Sequence, residues 1–272
     1  MDLALVALFG IVGALVGGLL NQVIDRAPRR VPIWRPAPHC DYCGMAISRR
    51  DLVPVVSYLA LRGRCRICGG AIPRRVLCVE VITALLFAAL AWHHGLSLDL
   101  LADSIYAAFL IAIAVIDLEH RLILNRIVYP GIYAALALAA LRVPLGQPRP
   151  LHYMFWQQAG HSAGMSPASA GLSSQLAGGM VALGIFLVLY LVSRGSLGDG
   201  DVRLALLCGL IVGYPGTLLV VVSAILLAGL VSALLLITRR ATRKTPIPFG
   251  PFLVVAVGAV EIAGEAWLRL LI

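Results

Sequence analysis

The chain has 272 residues, 60% of them hydrophobic and 13% charged, with a mean hydropathy of +0.94. That balance excludes an ordinary soluble domain. Apolar runs near the ~20 residues that cross a bilayer recur along it, which indicates an all-α polytopic membrane protein. The formal charge of +9 does not indicate nucleic-acid binding, because the basic residues sit between apolar runs and form no continuous basic face.

The first span is predicted over residues 3–24. Asp2 is the only charge before it, and arginines follow it in place of a small-residue cleavage site. It therefore reads as a permanent span with its amino terminus outside, not as a removable signal. A polar segment over 25–78, dense in Pro, Arg and Cys, comes next. Further spans are predicted over about 79–92, 101–116, 127–141, 175–192, 202–212 and 217–237, with a last one finishing the chain after Pro251. The total is about eight transmembrane helices. The polar stretch 144–174, with the aromatic cluster Tyr153, Phe155 and Trp156, has no assigned role.

Nineteen of the 22 basic residues fall in alternate loops; only Arg142, Arg149 and Arg269 lie on the other side. By the positive-inside rule both termini are expected outside, with segment 25–78, Asp117 and Asp201 facing the cytoplasm.

Within 25–78, Cys40-x-x-Cys43 and Cys65-x-x-Cys68 are two knuckles, each offering two thiolates from a tight turn. Two such turns close a tetrahedral four-sulfur site, so structural zinc is expected, with no position left open for a substrate. Two disulfides are the other reading, disfavoured by a compartment that keeps thiols reduced. Cys78 and Cys208 lie in apolar context and read as core residues.

Two acids at span ends carry the chemistry. Asp117 closes the third span, and Gly198-Asp199-Gly200-Asp201 precedes the sixth. Carboxylates at a membrane edge are costly and are functional candidates. Placed together, Asp117 and Asp201 form the acid/base pair of an aspartic protease: one activates water while the other, protonated, donates to the scissile carbonyl. Gly198 and Gly200 would let an extended substrate or another backbone approach. The plainer readings are that Asp199 and Asp201 cap the helix that follows, and that Asp117 pairs with Arg121 or His120.

These residues resemble the type IV prepilin peptidases, membrane aspartyl proteases of the GxGD class. The segment Gly18-Leu19-Leu20-Asn21-Gln22-Val23-Ile24-Asp25-Arg26-Ala27-Pro28 looks like that family's amino-terminal block, and the double Cys-x-x-Cys segment follows. Glu80 sits where the family has a Glu. Ile116-Asp117-Leu118-Glu119-His120 and Gly198-x-Gly200-Asp201-Val202-Arg203-Leu204 match its two catalytic blocks, and Pro248-Phe249-Gly250-Pro251-Phe252-Leu253 its last one. The departures are Leu124-Asn125 for Pro and Asp, Val76-Leu77 for Tyr-Pro, and Arg203 for Lys.

The resemblance implies catalytic Asp117 and Asp201 with Asp199 as the variable residue, in a multi-pass protein of the bacterial inner membrane. It implies cleavage of prepilin or pseudopilin leaders at the cytoplasmic face. It also implies N-methylation of the new terminus with S-adenosylmethionine, an activity associated with the cysteine segment. The expected organisation is a first transmembrane helix over 1–24, a zinc-binding segment over 25–78 and a peptidase core over 79–272. Expected partners are prepilin substrates and membrane lipids, with oligomeric state open. A proton-coupled transporter using the same acids, or a zinc-bearing scaffold, are the readings from other classes.

Overall fold

The computed structural model describes residues 2–32, 37–147, 149, 164–192, 197–240, 242, 245 and 247–271, with backbone alone for 263–271. The aromatic cluster 153–156 and Arg35, Arg194, Arg243 and Lys244 lie outside the described residues. Among those described the chain is helical throughout, with two isolated β-bridges and no strand.

The chain divides into two units, residues 1–112 and 113–272. In the first, α1 (Leu3–Arg26) begins at Asp2, whose Oδ1 accepts the amides of Ala4 and Leu5 at 3.1 and 3.4 Å. These are N–H groups that no helical carbonyl reaches. The short α2 (Val56–Ala60) lies in the cysteine segment, and α3 (Arg74–His94) returns antiparallel to α1. The two pack closely because Gly13 and Gly17 are one turn apart. A Cβ on Gly13 would lie 2.6 Å from the Thr83 carbonyl, and one on Gly17 2.7 Å from Glu80 Cα. Lipid tails are as apolar as leucine, so small residues that let backbones touch hold such helices together. Further along the seam, Asn21 Nδ2 donates to the Val76 carbonyl at 3.0 Å and Arg75 pairs with Asp25. The helix α4 (Leu98–His120) starts at Ser97, whose hydroxyl accepts the Leu100 amide at 3.2 Å.

In the second unit the end of α4 is followed by α5 (Asn125–Leu145), α6 (Pro167–Val192), α7 (Asp199–Val212), α8 (Gly216–Ile237) and α9 (Gly250–Leu271). The core helix is α7: Leu204, Leu207, Ile211 and Val212 are fully buried, and α5, α6, α8 and α9 all pack on it. Its closest neighbour is α6, where the backbones of Gly178 and Gly209 come into contact. Ser174 of α6 pins the turn after α7, with its hydroxyl donating to the Tyr214 carbonyl at 2.6 Å. The outward faces of α1 and α8 are continuous apolar stripes, Leu8, Ile11, Leu15 and Leu19 on one and Leu226, Leu230 and Leu234 on the other. Such faces are stable only in lipid.

Among the described residues, six helices (α1, α3, α4, α5, α6 and α8) are long and apolar enough to cross a membrane. The expected eight exceeds this. The 14 residues of α7 reach only about 21 Å at ~1.5 Å per residue, short of a full span. Two smaller expectations also change. The helix α6 starts at Pro167, well before 175, because Ser166 caps it by accepting the Ser169 amide at 3.2 Å. Cys78 is exposed on α3, whereas Cys208 is buried in α7 as expected.

Candidate active site

Asp117 lies in the last turn of α4, which ends as Arg121 adopts φ +55° and its amide donates to the Asp117 carbonyl at 2.8 Å. The Asp117 side chain is buried and pairs with no cation among the described residues. Its supposed local partner His120 stands 4.0 Å from Glu119 instead. What Asp117 does accept is the amide of Gly250, the first residue of α9, at 3.0 Å to Oδ2. That amide has no helical acceptor of its own, and a helix amino terminus favours a negative charge. Only glycine permits the approach, since a Cβ at 250 would lie 2.7 Å from Asp117 Oδ2 and 3.4 Å from Leu204 of α7. Gly250 thus touches both the first acid and the helix that carries the second.

Asp201 stands in the first turn of α7, outside the six spans. Its Oδ2 accepts the Gly198 amide at 3.1 Å, so the capping role is real. It coexists with burial, which pushes the Asp201 carboxyl up to about 6, with the charges of Asp117 and Asp199 adding to the effect against the Gly198 bond. The negative charge of Asp117 thus adds to burial in opposing ionisation of Asp201.

Asp199 has a different place. It is 66% exposed and pairs with Arg203 at 2.7 Å, one turn along α7. Arg203 also bonds Asn125, which stands in place of the expected Asp. Gly200 meets the loop after α4: a Cβ there would lie 2.7 Å from Ile123 Cβ. Its use is backbone approach. Gly198 serves as the residue that Asp201 caps. Sequence reasoning assigned no contact to Gly250; its only signal was a glycine between Phe249 and Pro251 opening an apolar run.

In the first unit the four cysteines come together. The sulfurs of Cys40, Cys43, Cys65 and Cys68 all lie within 4.8 Å of one another, and Cys40 and Cys68 are 3.8 Å apart. A tetrahedron with metal–sulfur bonds of about 2.3 Å has edges of about 3.8 Å, so the donor set fits a zinc knuckle. The two knuckles are near copies. The amide of Cys40 donates to Met45 at 3.0 Å and that of Cys65 to Gly70 at 2.8 Å; Gly44 donates to Cys40 at 2.8 Å and Gly69 to Cys65 at 2.9 Å. Gly44 and Gly69 sit at φ +68° and +71°, which other residues adopt only with strain. The amides of Cys68 and Ile67 bring the Cys65 thiol down to about 7, while against the Gly70 amide burial and the neighbouring cysteines push Cys68 up to about 11. Asp51 braces the second knuckle through Arg66 at 2.6 Å; hydrogen bonding by Arg66 holds its carboxyl at about 2.

A helical membrane protein with one buried acid in the last turn of α4 and a second in the first turn of α7 has the side chains that a hydrolase built on paired carboxyls requires. Known proteins narrow this class. Residues 11–94 match the bacterial peptidase A24 N-terminal domain and residues 104–233 the type IV leader peptidase family. The chain is 32% identical over 270 residues to the type 4 prepilin-like proteins leader peptide-processing enzyme of Escherichia coli O78:H11 (strain H10407 / ETEC), covering 89% of this chain and 87% of that protein. It is 29% identical over 251 residues to the prepilin leader peptidase/N-methyltransferase of Bacillus subtilis (strain 168), covering 92% and 90%. The protein of that name in Pseudomonas aeruginosa PAO1 is 28% identical over 283 residues, covering 95% and 90%. No solved structure matches the chain. The chain belongs to the type IV leader peptidase family.

Proposed function

We propose that the protein is an aspartic endopeptidase that removes the amino-terminal leaders of prepilins or pseudopilins, with Asp117 and Asp201 as its catalytic pair. The observation that carries this reading is the placement of the two acids at helix ends that meet at Gly250, whose amide bonds Asp117 and where a Cβ would meet Leu204 of the helix that carries Asp201. Together they hold one proton. The ionised carboxyl takes a proton from water as its oxygen adds to the scissile carbonyl carbon, and the protonated one donates to the carbonyl oxygen. Collapse of the tetrahedral adduct breaks the C–N bond, and the leaving amine takes a proton from the pair. Gly198 and Gly200 support the Asp201 turn, and Gly250 holds Asp117.

Zinc at Cys40, Cys43, Cys65 and Cys68 would fasten residues 25–78 as a structural module, with the peptidase core over 79–272. The basic loops support an inner-membrane protein with its active site on the cytoplasmic side. The names of the relatives support a second reaction, N-methylation of the exposed terminus with S-adenosylmethionine. The test is to incubate the purified protein with a synthetic prepilin and identify products by mass spectrometry. A single cut at the leader junction is expected, with one added methyl group when the donor is supplied. An uncut substrate contradicts the reading.

A further inference from the structure

The seam between α1 and α3 in the first unit holds two oxygen acceptors that take no hydrogen bond among the described residues. Glu80 is 7% exposed and Asn21 5%. Glu80 Oε2 accepts the Val55 amide at 2.6 Å. Its other oxygen reaches α1 over Gly18, 3.8 Å from where a Cβ would stand, and accepts no hydrogen bond among the described residues. Asn21 is oriented by its Nδ2, which donates to the Val76 carbonyl at 3.0 Å, so its Oδ1 points away from that bond and is buried without a partner. Asn21 follows Gly18 by three residues, which puts it on the α1 face that Glu80 reaches.

No cation pairs with Glu80 among the described residues, although a carboxylate buried this far is costly without one. Val55, whose amide Glu80 holds, sits at φ +63°, a conformation that β-branched residues avoid. The segment over the seam is thus held in place by Glu80, and Pro54 walls Gly18 on that side. The missing complement is positive, rich in N–H donors and small. Two oxygens are too few to cage a hard metal ion, but they suit two of the three N–H groups of a primary ammonium.

We propose that Glu80 and Asn21 bind the free α-ammonium of the cleaved substrate; this deepens the N-methylation reading above and rests on it. Cleavage creates one such group per turnover, and an ammonium is inert as a nucleophile. Passing one N–H proton to Glu80 Oε1 converts carboxylate to carboxylic acid and ammonium to amine, leaving the nitrogen lone pair free.

The test uses the full zinc-loaded chain in phosphatidylcholine nanodiscs, a lipid without N–H donors. Binding of a peptide with the mature amino terminus is compared with its N-acetylated form, with no methyl donor present. The free-amine peptide is expected to bind at least about tenfold more tightly. Glu80→Gln, which keeps an oxygen for the Val55 amide, is expected to erase the difference, and Glu80→Asp to restore part of it. Zinc content and thermal unfolding check that each variant is folded.

Equal binding of the two peptides by wild type, or a preference that survives in folded Glu80→Gln, overturns the proposal. So does a preference lost when phosphatidylethanolamine replaces phosphatidylcholine, which would make the lipid headgroup the occupant. Cleavage and methyl transfer are measured on the same preparation. If both proceed while the preference is absent, the site fails and the enzymatic reading stands. If neither proceeds while the preference holds, the ammonium site stands alone.

Discussion

Gly250 and Asp117, 133 residues apart in sequence, meet through a 3.0 Å hydrogen bond from amide to carboxyl. This contact fixes where one member of the acid pair stands relative to the helix that carries the other.

Replacing Gly250 by alanine tests that placement. The new methyl group would lie 2.7 Å from Asp117 Oδ2, so the acid or the start of α9 must move. Displacement of a catalytic group by a fraction of an ångström to an ångström costs roughly 10- to 100-fold in rate. We expect a loss of that order in kcat/KM for leader cleavage, with a thermal midpoint close to wild type.

Asp199 is expected to tune the pair without serving in it. Burial, followed by the charges of Asp117 and Asp199, raises the Asp201 carboxyl to about 6, so this group keeps its proton below that pH and loses it above. Asp199→Asn removes one negative charge and releases Arg203 from its 2.7 Å pair. Both changes favour ionised Asp201 and lower its pKa. Activity at low pH should be retained, while the alkaline limb of kcat/KM against pH moves to lower pH. An alkaline limb that moves up would contradict the assignment.

For the cysteine cluster, metal analysis of the purified chain should give zinc at about one equivalent, the count expected of a closed four-thiolate site. Cys43→Ser leaves three thiolates and should lose most of that metal. Limited proteolysis is then expected to cut between residues 38 and 72, where the two knuckles have little core of their own apart from the metal.

The α1–α3 seam gives a prediction about stability alone. Valine at Gly17 would place its Cβ 2.7 Å from Glu80 Cα, forcing the helices apart. Overpacking of this kind costs about 1–3 kcal/mol. Thermal or denaturant unfolding in detergent should show a loss in that range.

Much of the site was legible in the sequence because its chemistry is local in spacing. Cys40-x-x-Cys43 and Cys65-x-x-Cys68 each carry their own turn, and the structure brings all four together. Asp201 announces itself by the glycines around it. The bond from Gly250 was hidden because it joins distant segments; hydropathy registers α9 as an apolar run and says nothing of its first amide. The start of α6 was misplaced because residues 166–174 are rich in Ser, Gly and Ala, which dilute hydropathy even though Ser166 and Pro167 form a good helix start. The helix α7 was read as a membrane span, although it is short and buried on nearly every side by other helices. Its apolarity answers to protein neighbours, which a hydropathy window does not distinguish from lipid.

The most direct measurement is leader cleavage by Asp117→Asn, Asp201→Asn and the double variant, each in folded, zinc-loaded protein. Two acids that share one proton act as a unit, so removing either should cost as much as removing both, on the order of 10³-fold or more in kcat. Substantial cleavage by either single variant, or losses that add in the double variant, would contradict the account.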